Sequence, residues 1–281
     1  MDGTRTRGRM VAEGEGRPRG VDSRRVPAKQ RFHLAALLIF FAFFFTAPLF
    51  AQSDTNDIGF DPNITQEEFA TFSRLVAQGI FATPVDPARA RGILGFHIGV
   101  AVTALPIDTA ATYWTRSVDD DFTISDYVAV PRLVVSKGLS FGTIYGSYSK
   151  IQDTDIQVWG AAFDLPLTRG GIATPTLALR GSYATLRGVE ELDLNTYGAE
   201  LFLSKGFGPI TPYGAVGYAR SDAEGHIFLP DTNTVPITLT DEDTSARYTV
   251  GVKISLLLPK FIVEASQAEE RSYAAKVSFG F

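Results

Sequence analysis

The chain has 281 residues, with 26 Gly, 21 Phe, 10 Tyr and no Cys, and is 45% hydrophobic and 20% charged. The length suits one large β domain or two small ones, and the absence of Cys removes disulfide frameworks, thiolate metal sites and cysteine nucleophiles together. Of the 26 Lys and Arg and the 31 Asp and Glu, nine and four fall in residues 1–51, which leaves 17 basic against 27 acidic residues, a net of −10, in the remainder. That balance lacks the electrostatic footprint of a nucleic-acid binder, so no nucleic-acid partner is expected.

The first element is an address. Leu34 to Phe45 is an unbroken apolar run preceded by Arg24, Arg25, Lys29 and Arg31 and followed by Pro48 and Ala51. A spanning helix needs about 20 apolar residues, whereas the core of a signal peptide needs roughly 7 to 15. Residues 1–51 therefore read as a cleaved export signal with a long basic leader, Ala51 being the last residue removed. An uncleaved anchor is the alternative. No second long apolar run follows, so a bundle of membrane helices is excluded.

Residues 52–91 show helical spacing in place of strand alternation. Thr65 and Glu68 fit a capping box, Phe69, Phe72, Leu75 and Val76 recur on one face, and Gly79 is a plausible stop. A short amphipathic helix is expected here, on the periplasmic side of the domain that follows, capping its mouth or entering it. A loosely attached tail is the other reading.

From Gly92 to Phe281 the chain is a series of roughly ten-residue segments with apolar side chains at every second position, which gives each strand one apolar face. The clearest are 92–103 (Leu94, Phe96, Ile98, Val100, Val102), 247–256 (Tyr248, Val250, Val252, Ile254) and 272–281. Weaker ones are 127–136, 140–149, 156–165, 176–185, 196–204, 212–220 and 261–266, about ten strands in all, within a range of roughly 8 to 12. The opposite face carries His97, Arg132, Arg180, Glu200, Lys253, Glu264 and Lys276 together with Gly and Ser. These seven are the candidate lumen-facing residues of a closed barrel.

Alternation alone fits a soluble barrel equally well, so other features decide. Connections at 136–140, 204–209 and 258–260 are tight, and 165–175 is modest. Those at 104–125 and 221–245 are long and acidic. Starting the first strand from the periplasm puts every tight turn on one side, as in outer-membrane barrels. Aromatic residues stand near segment ends: Tyr127, Tyr148, Trp159, Phe163, Tyr183, Tyr197, Tyr213, Tyr248, Phe261, Tyr273 and Phe279. Such positions suit the level where hydrocarbon meets headgroups.

The last strand, with Tyr273, Val277, Phe279 and a terminal Phe281, carries a resemblance. The sequence resembles the outer-membrane β-barrel proteins of Gram-negative-type bacteria, closest to small barrels similar to OmpA and OmpX or to a related uncharacterised family. The resemblance covers about Gly92 to Phe281. It implies a closed antiparallel up-and-down transmembrane barrel in the outer membrane, embedded in outer-membrane lipid. It also implies recognition by the barrel-assembly machinery through that final strand. Closure has a physical reason, because an unpaired backbone group in hydrocarbon costs several kcal/mol.

Chemistry is sparse. His97 could meet Ser272 or Ser278 where the last strand closes on the first, which keeps an envelope-lipid-modifying barrel enzyme as an alternative. His226 is expected in the long loop 221–245. Arg132, Arg180, Lys253 and Lys276 are expected to pair with Glu200 and Glu264 in an ion network within a plug-free barrel of little or no conductance, with a limited small-solute pore as the variant. Asp119 to Asp121 and Asp241 to Asp243 are expected as solvated loop tips, so no metal and no cofactor is assigned. The favoured reading is a non-enzymatic outer-membrane barrel with a structural, surface-interaction or limited-pore role. A soluble lipocalin-like binding barrel is the remaining alternative.

Overall fold

The computed structural model describes residues 58–118, 126–151, 154–168, 170–171, 174–227 and 237–280. The expected export signal and Phe281 lie outside them, as do Asp119, Asp120 and Asp121. Ten strands form one closed antiparallel barrel in which each strand pairs with its sequence neighbours and the first pairs with the last. They are β1 (Phe96–Pro106), β2 (Tyr127–Gly138), β3 (Thr143–Lys150), β4 (Gln157–Pro166), β5 (Thr176–Arg187), β6 (Leu192–Ser204), β7 (Ile210–Ile227), β8 (Ile237–Ser255), β9 (Pro259–Gln267) and β10 (Arg271–Gly280). The seam runs from His97 opposite Gly280 to Ala104 opposite Tyr273. No backbone edge is left, which is the condition for a sheet in hydrocarbon.

Outside the wall lies an apolar band. Val100, Leu133, Ile144, Leu203, Val216, Val250 and Val263 are all exposed. In water such a surface would be far larger than the patches that soluble monomers tolerate. Tyr and Trp edge the band on the side of the long connections, with Tyr148 and Trp159 at 4.6 Å and Tyr183 and Tyr197 at 5.2 Å between ring centroids. On the side of the tight turns the edge is Phe, as in the Phe141 and Phe163 pair at 5.8 Å. Tyr213 departs from this pattern. It faces inward, 6% exposed, and its hydroxyl donates to Glu264 Oε2 at 2.8 Å.

Two strands are longer than expected. β7 has 18 residues and β8 has 19, against the roughly 9 to 11 that span a bilayer. Most of the acidic stretch 221–245, expected as a loop, is thus a hairpin continuing beyond the apolar band. Polar side chains occupy both of its faces there, which erases the alternation that marks a strand. Arg220 stabilises it by pairing with Asp222 on β7 and Glu242 on β8, both at 2.8 Å. His226 accordingly belongs to β7, opposite Thr238, and Asp241 to Asp243 belong to β8.

The barrel is filled by its own chain. Helix α1 (Gln66–Ile80) begins with the expected capping box: Glu68 N donates to Thr65 Oγ1 at 3.3 Å and Thr65 N to Glu68 Oε2 at 2.9 Å. It runs through Gly79, where a side chain would meet Leu105, instead of stopping there. Of the two expected placements, capping the mouth or entering it, the helix takes the second: α1 lies in the half of the lumen next to the long connections, opposite the tight turns. Gln66 Nε2 donates to the Thr240 carbonyl at 2.7 Å, and the Phe69 ring lies against Gly225. The reason is that this half of the interior is greasy. Leu105, Val130, Val158, Leu186, Leu192 and Leu194 face inward there and enclose Phe69, Phe72, Leu75 and Ile80. A second helix, α2 (Thr112–Thr115), sits in the β1–β2 connection and adds Trp114 to this cluster, 6.0 Å from Phe72. Burying a Phe or Leu side chain contributes roughly 1.5–3 kcal/mol, so the helix is a core element of the fold.

Candidate functional site: the charged half of the lumen

Past α1 the chain continues as an extended segment, 81–95, down the other half of the lumen to the tight-turn end. Its descent is marked by contacts with the wall. Arg132 donates to the carbonyls of Phe81 and Gly79, each at 2.7 Å, and Thr83 Oγ1 donates to Glu264 Oε1 at 2.8 Å. Lys276 Nζ donates to the Pro84 carbonyl at 2.5 Å and Thr143 Oγ1 to that of Arg89 at 2.9 Å. Lys137 Nζ reaches the Ile93 carbonyl at 2.6 Å, where the segment arrives at the turn between β2 and β3. Chain and wall are close enough at Gly198 that a side chain there would collide with the Phe81 ring.

The centre of the segment is Pro84-Val85-Asp86-Pro87. Val85 is fully buried at φ 48°, a left-handed conformation that costs a β-branched residue roughly 1–3 kcal/mol. The bend aims Asp86 into a ring of cations. Lys253 Nζ lies 2.8 Å, Arg91 Nη2 2.8 Å and Lys276 Nζ 3.2 Å from its carboxylate, and Arg180 donates to its carbonyl at 2.9 Å. Asp86 has no exposed surface. A buried carboxylate is tolerable only when its desolvation is offset by such partners.

The candidate lumen residues take these places. His97, Arg132, Arg180, Glu200, Lys253, Glu264 and Lys276 are all buried, at 6% exposure or less. The expected mutual network between their cations and the two glutamates is not what forms. Arg180 faces Glu200 across β5 and β6 yet pairs with Asp164 on β4 at 2.7 Å, and lies over the Phe202 ring at 4.2 Å. Glu200 pairs with Arg247 at 3.3 Å, and Glu264 accepts from Thr83 and Tyr213. Lys253 and Lys276 turn to Asp86, and Arg132 to backbone carbonyls. The expectation of a plug-free lumen is therefore overturned, because the strand cations outnumber the strand carboxylates near them and a carboxylate from the inserted segment joins them. Asp86, Asp164 and Arg247 are the members missing from the candidate set.

His97 does not meet a serine. Its ring nitrogens stand 2.7 Å from Arg91 Nη1 and 2.6 Å from Lys260 Nζ. Ser272 accepts from Gln78 Nε2 at 2.8 Å toward the far end of the seam. The arrangement needed for nucleophilic attack, a base bonded to its hydroxyl, is not assembled between these residues. In β10, Tyr273 and Phe279 point outward, about half exposed, and Val277 pairs with Val100 across the seam.

A closed antiparallel barrel with an occupied interior, charged in one half, and an apolar exterior edged by aromatics defines an outer-membrane-type β-barrel protein. Residues 123–281, more than half of the chain, match the model of a family of unknown function, DUF6588, and the chain belongs to that family. No curated protein matches it. Among solved structures it is similar to the N-terminal β-barrel domain of Pseudomonas aeruginosa OprF, at 15% identity over 65% of this chain and 97% of that one, with a TM-score of 0.30. It is also similar to Ail, the attachment invasion locus protein of Yersinia pestis, at 11% identity over 66% and 97%, TM-score 0.28. Neisserial surface protein A gives 10% over 66% and 97%, TM-score 0.28. At these scores the class rests on the chain's own strand order and its two faces.

Proposed function

We propose that this protein is a self-plugged, non-enzymatic outer-membrane barrel, serving as a wall element that presents its long hairpin and loops at the cell surface and not as an open channel. Residues 1–51 direct export and are removed. The tight turns face the periplasm, and the final strand, Tyr273 to Phe281, is the part recognised by the assembly machinery. In this orientation the chain enters the barrel from the outer side near Ile58 and leaves it at the periplasmic mouth. The observation that carries the reading is the clamp of the wall residues Lys253 and Lys276 on Asp86, which fixes the inserted segment across the lumen.

Planar-bilayer recording of the refolded protein tests it. The full chain is expected to give no steady open level, and Asp86→Ala to give frequent openings. A stable open state of the unaltered chain, unchanged by that substitution, would refute the closed reading. Orientation is tested separately, by an epitope inserted between Gln52 and Ile58. It should bind antibody on intact cells.

A further inference from the structure

The tight-turn half of the lumen holds more positive charge than the clamp uses. Five cations, Arg89, Arg91, Lys253, Lys260 and Lys276, act on one carboxylate or on one another there, and among the described residues Asp86 is the one acidic side chain they share. Asp164, the next acid, is held bidentate by Arg180 through Nε and Nη2. Among the described side chains that is five positive charges against one negative, with the Gly280 carbonyl as a further acceptor for Lys260. Hydrogen-bond donors are in surplus as well. A neutral imidazole offers one acceptor nitrogen, yet His97 is approached on its two nitrogens by Arg91 and Lys260. Arg89 Nε and Arg91 Nε are buried without any partner, the Arg91 side chain being 1% exposed, and so is Ser278 Oγ, opposite Lys260 in the β9–β10 register.

We propose that this end of the lumen is a binding site for a phosphate-type oxyanion, entered from the tight-turn mouth, where Arg89 and Lys260 are half-buried. The group supplies what the cluster lacks, several acceptor atoms and negative charge in one compact body. Guanidinium groups match its geometry with paired N–H donors, and the lysine adds a point charge. Arg89, Arg91 and Lys260 are the ligating cations, with Ser278 as a neutral donor. Lys253 and Lys276 stay on Asp86. Free phosphate and the phosphate of a lipid headgroup present the same chemistry to this mouth.

The test uses the full chain refolded in a maltoside detergent and titrated with inorganic phosphate by calorimetry, with chloride at matched ionic strength as control. A saturable phosphate isotherm that chloride does not reproduce is expected. Arg89→Gln and Lys260→Gln, neither of which touches Asp86, should each weaken it at least tenfold. Both should leave heat-modifiable gel migration unchanged. If binding appears only in nanodiscs containing phosphatidic acid, and is lost in the same two variants, the phosphate comes from lipid. No phosphate-dependent signal in either setting, an equal chloride response, or full binding by both variants would overturn the site.

Discussion

Lys276 on the last strand and Asp86 in the segment before the first lie 3.2 Å apart inside the wall, next to the seam that joins β10 to β1. One contact thus ties both ends of the barrel sequence to the material filling it. Removing one member of a buried, hydrogen-bonded charge set costs about 3–5 kcal/mol. Asp86→Asn is therefore expected to lower the temperature at which the folded band disappears in detergent gels by many degrees. Lys276→Met together with Asp86→Leu should recover part of that loss, since one cation fewer is left without its carboxylate while Lys253 and Arg91 remain.

Acid should loosen the first turn of the helix. The Thr65 backbone N–H, then the hydroxyls of Thr112 and Thr65 and the Arg116 guanidinium, hold the Glu68 carboxyl down to about 2 from its usual 4.5. A carboxyl lowered on folding stabilises fully above its unfolded value and loses that contribution as pH falls from about 4.5 toward 2. Amide exchange at residues 65–72 is expected to accelerate across that window. Glu68→Gln should show the faster exchange already at pH 7 and little further change on acidification.

Val100, 55% exposed in the middle of β1, tests what the outer face meets. An arginine facing lipid at mid-depth costs about 2–4 kcal/mol, whereas on a water-facing surface it costs almost nothing. Val100→Arg should lower the folding free energy in bilayers, measured by urea titration, by an amount in that range. A neutral result would favour a water-facing exterior.

Phe72 is 1% exposed and packs edge-on to Phe60 at 5.9 Å between centroids. Phe72→Ala should cost about 3–5 kcal/mol at the helix through the cavity it leaves. The strand signal in circular dichroism is expected to persist while limited proteolysis cuts within 60–80.

Strand number was legible in the sequence because membrane contact forces a strict period of two, and segments such as 127–136 and 176–185 fall within β2 and β5. The period fails wherever lipid no longer imposes it. Residues 221–227 and 237–245 project past the band, and Leu192 and Leu194 turn apolar side chains inward because a helix, not water, faces them. The charged site was harder to read, since its central acid sits in Pro84-Val85-Asp86-Pro87, which has no period at all. One trace was present: four cations and two glutamates among the candidate interior residues imply a missing acid.

A threaded interior constrains the order of events during biogenesis. Residues 58–95 cannot pass sideways through a sheet already sealed by pairing His97–Ala104 with Tyr273–Gly280. Either these residues settle against the curling sheet before the first and last strands meet, or they are drawn lengthwise through the ring afterwards. The ring's girth at Gly198 and Gly225, where aromatic side chains already touch the backbone, leaves little clearance for the second route.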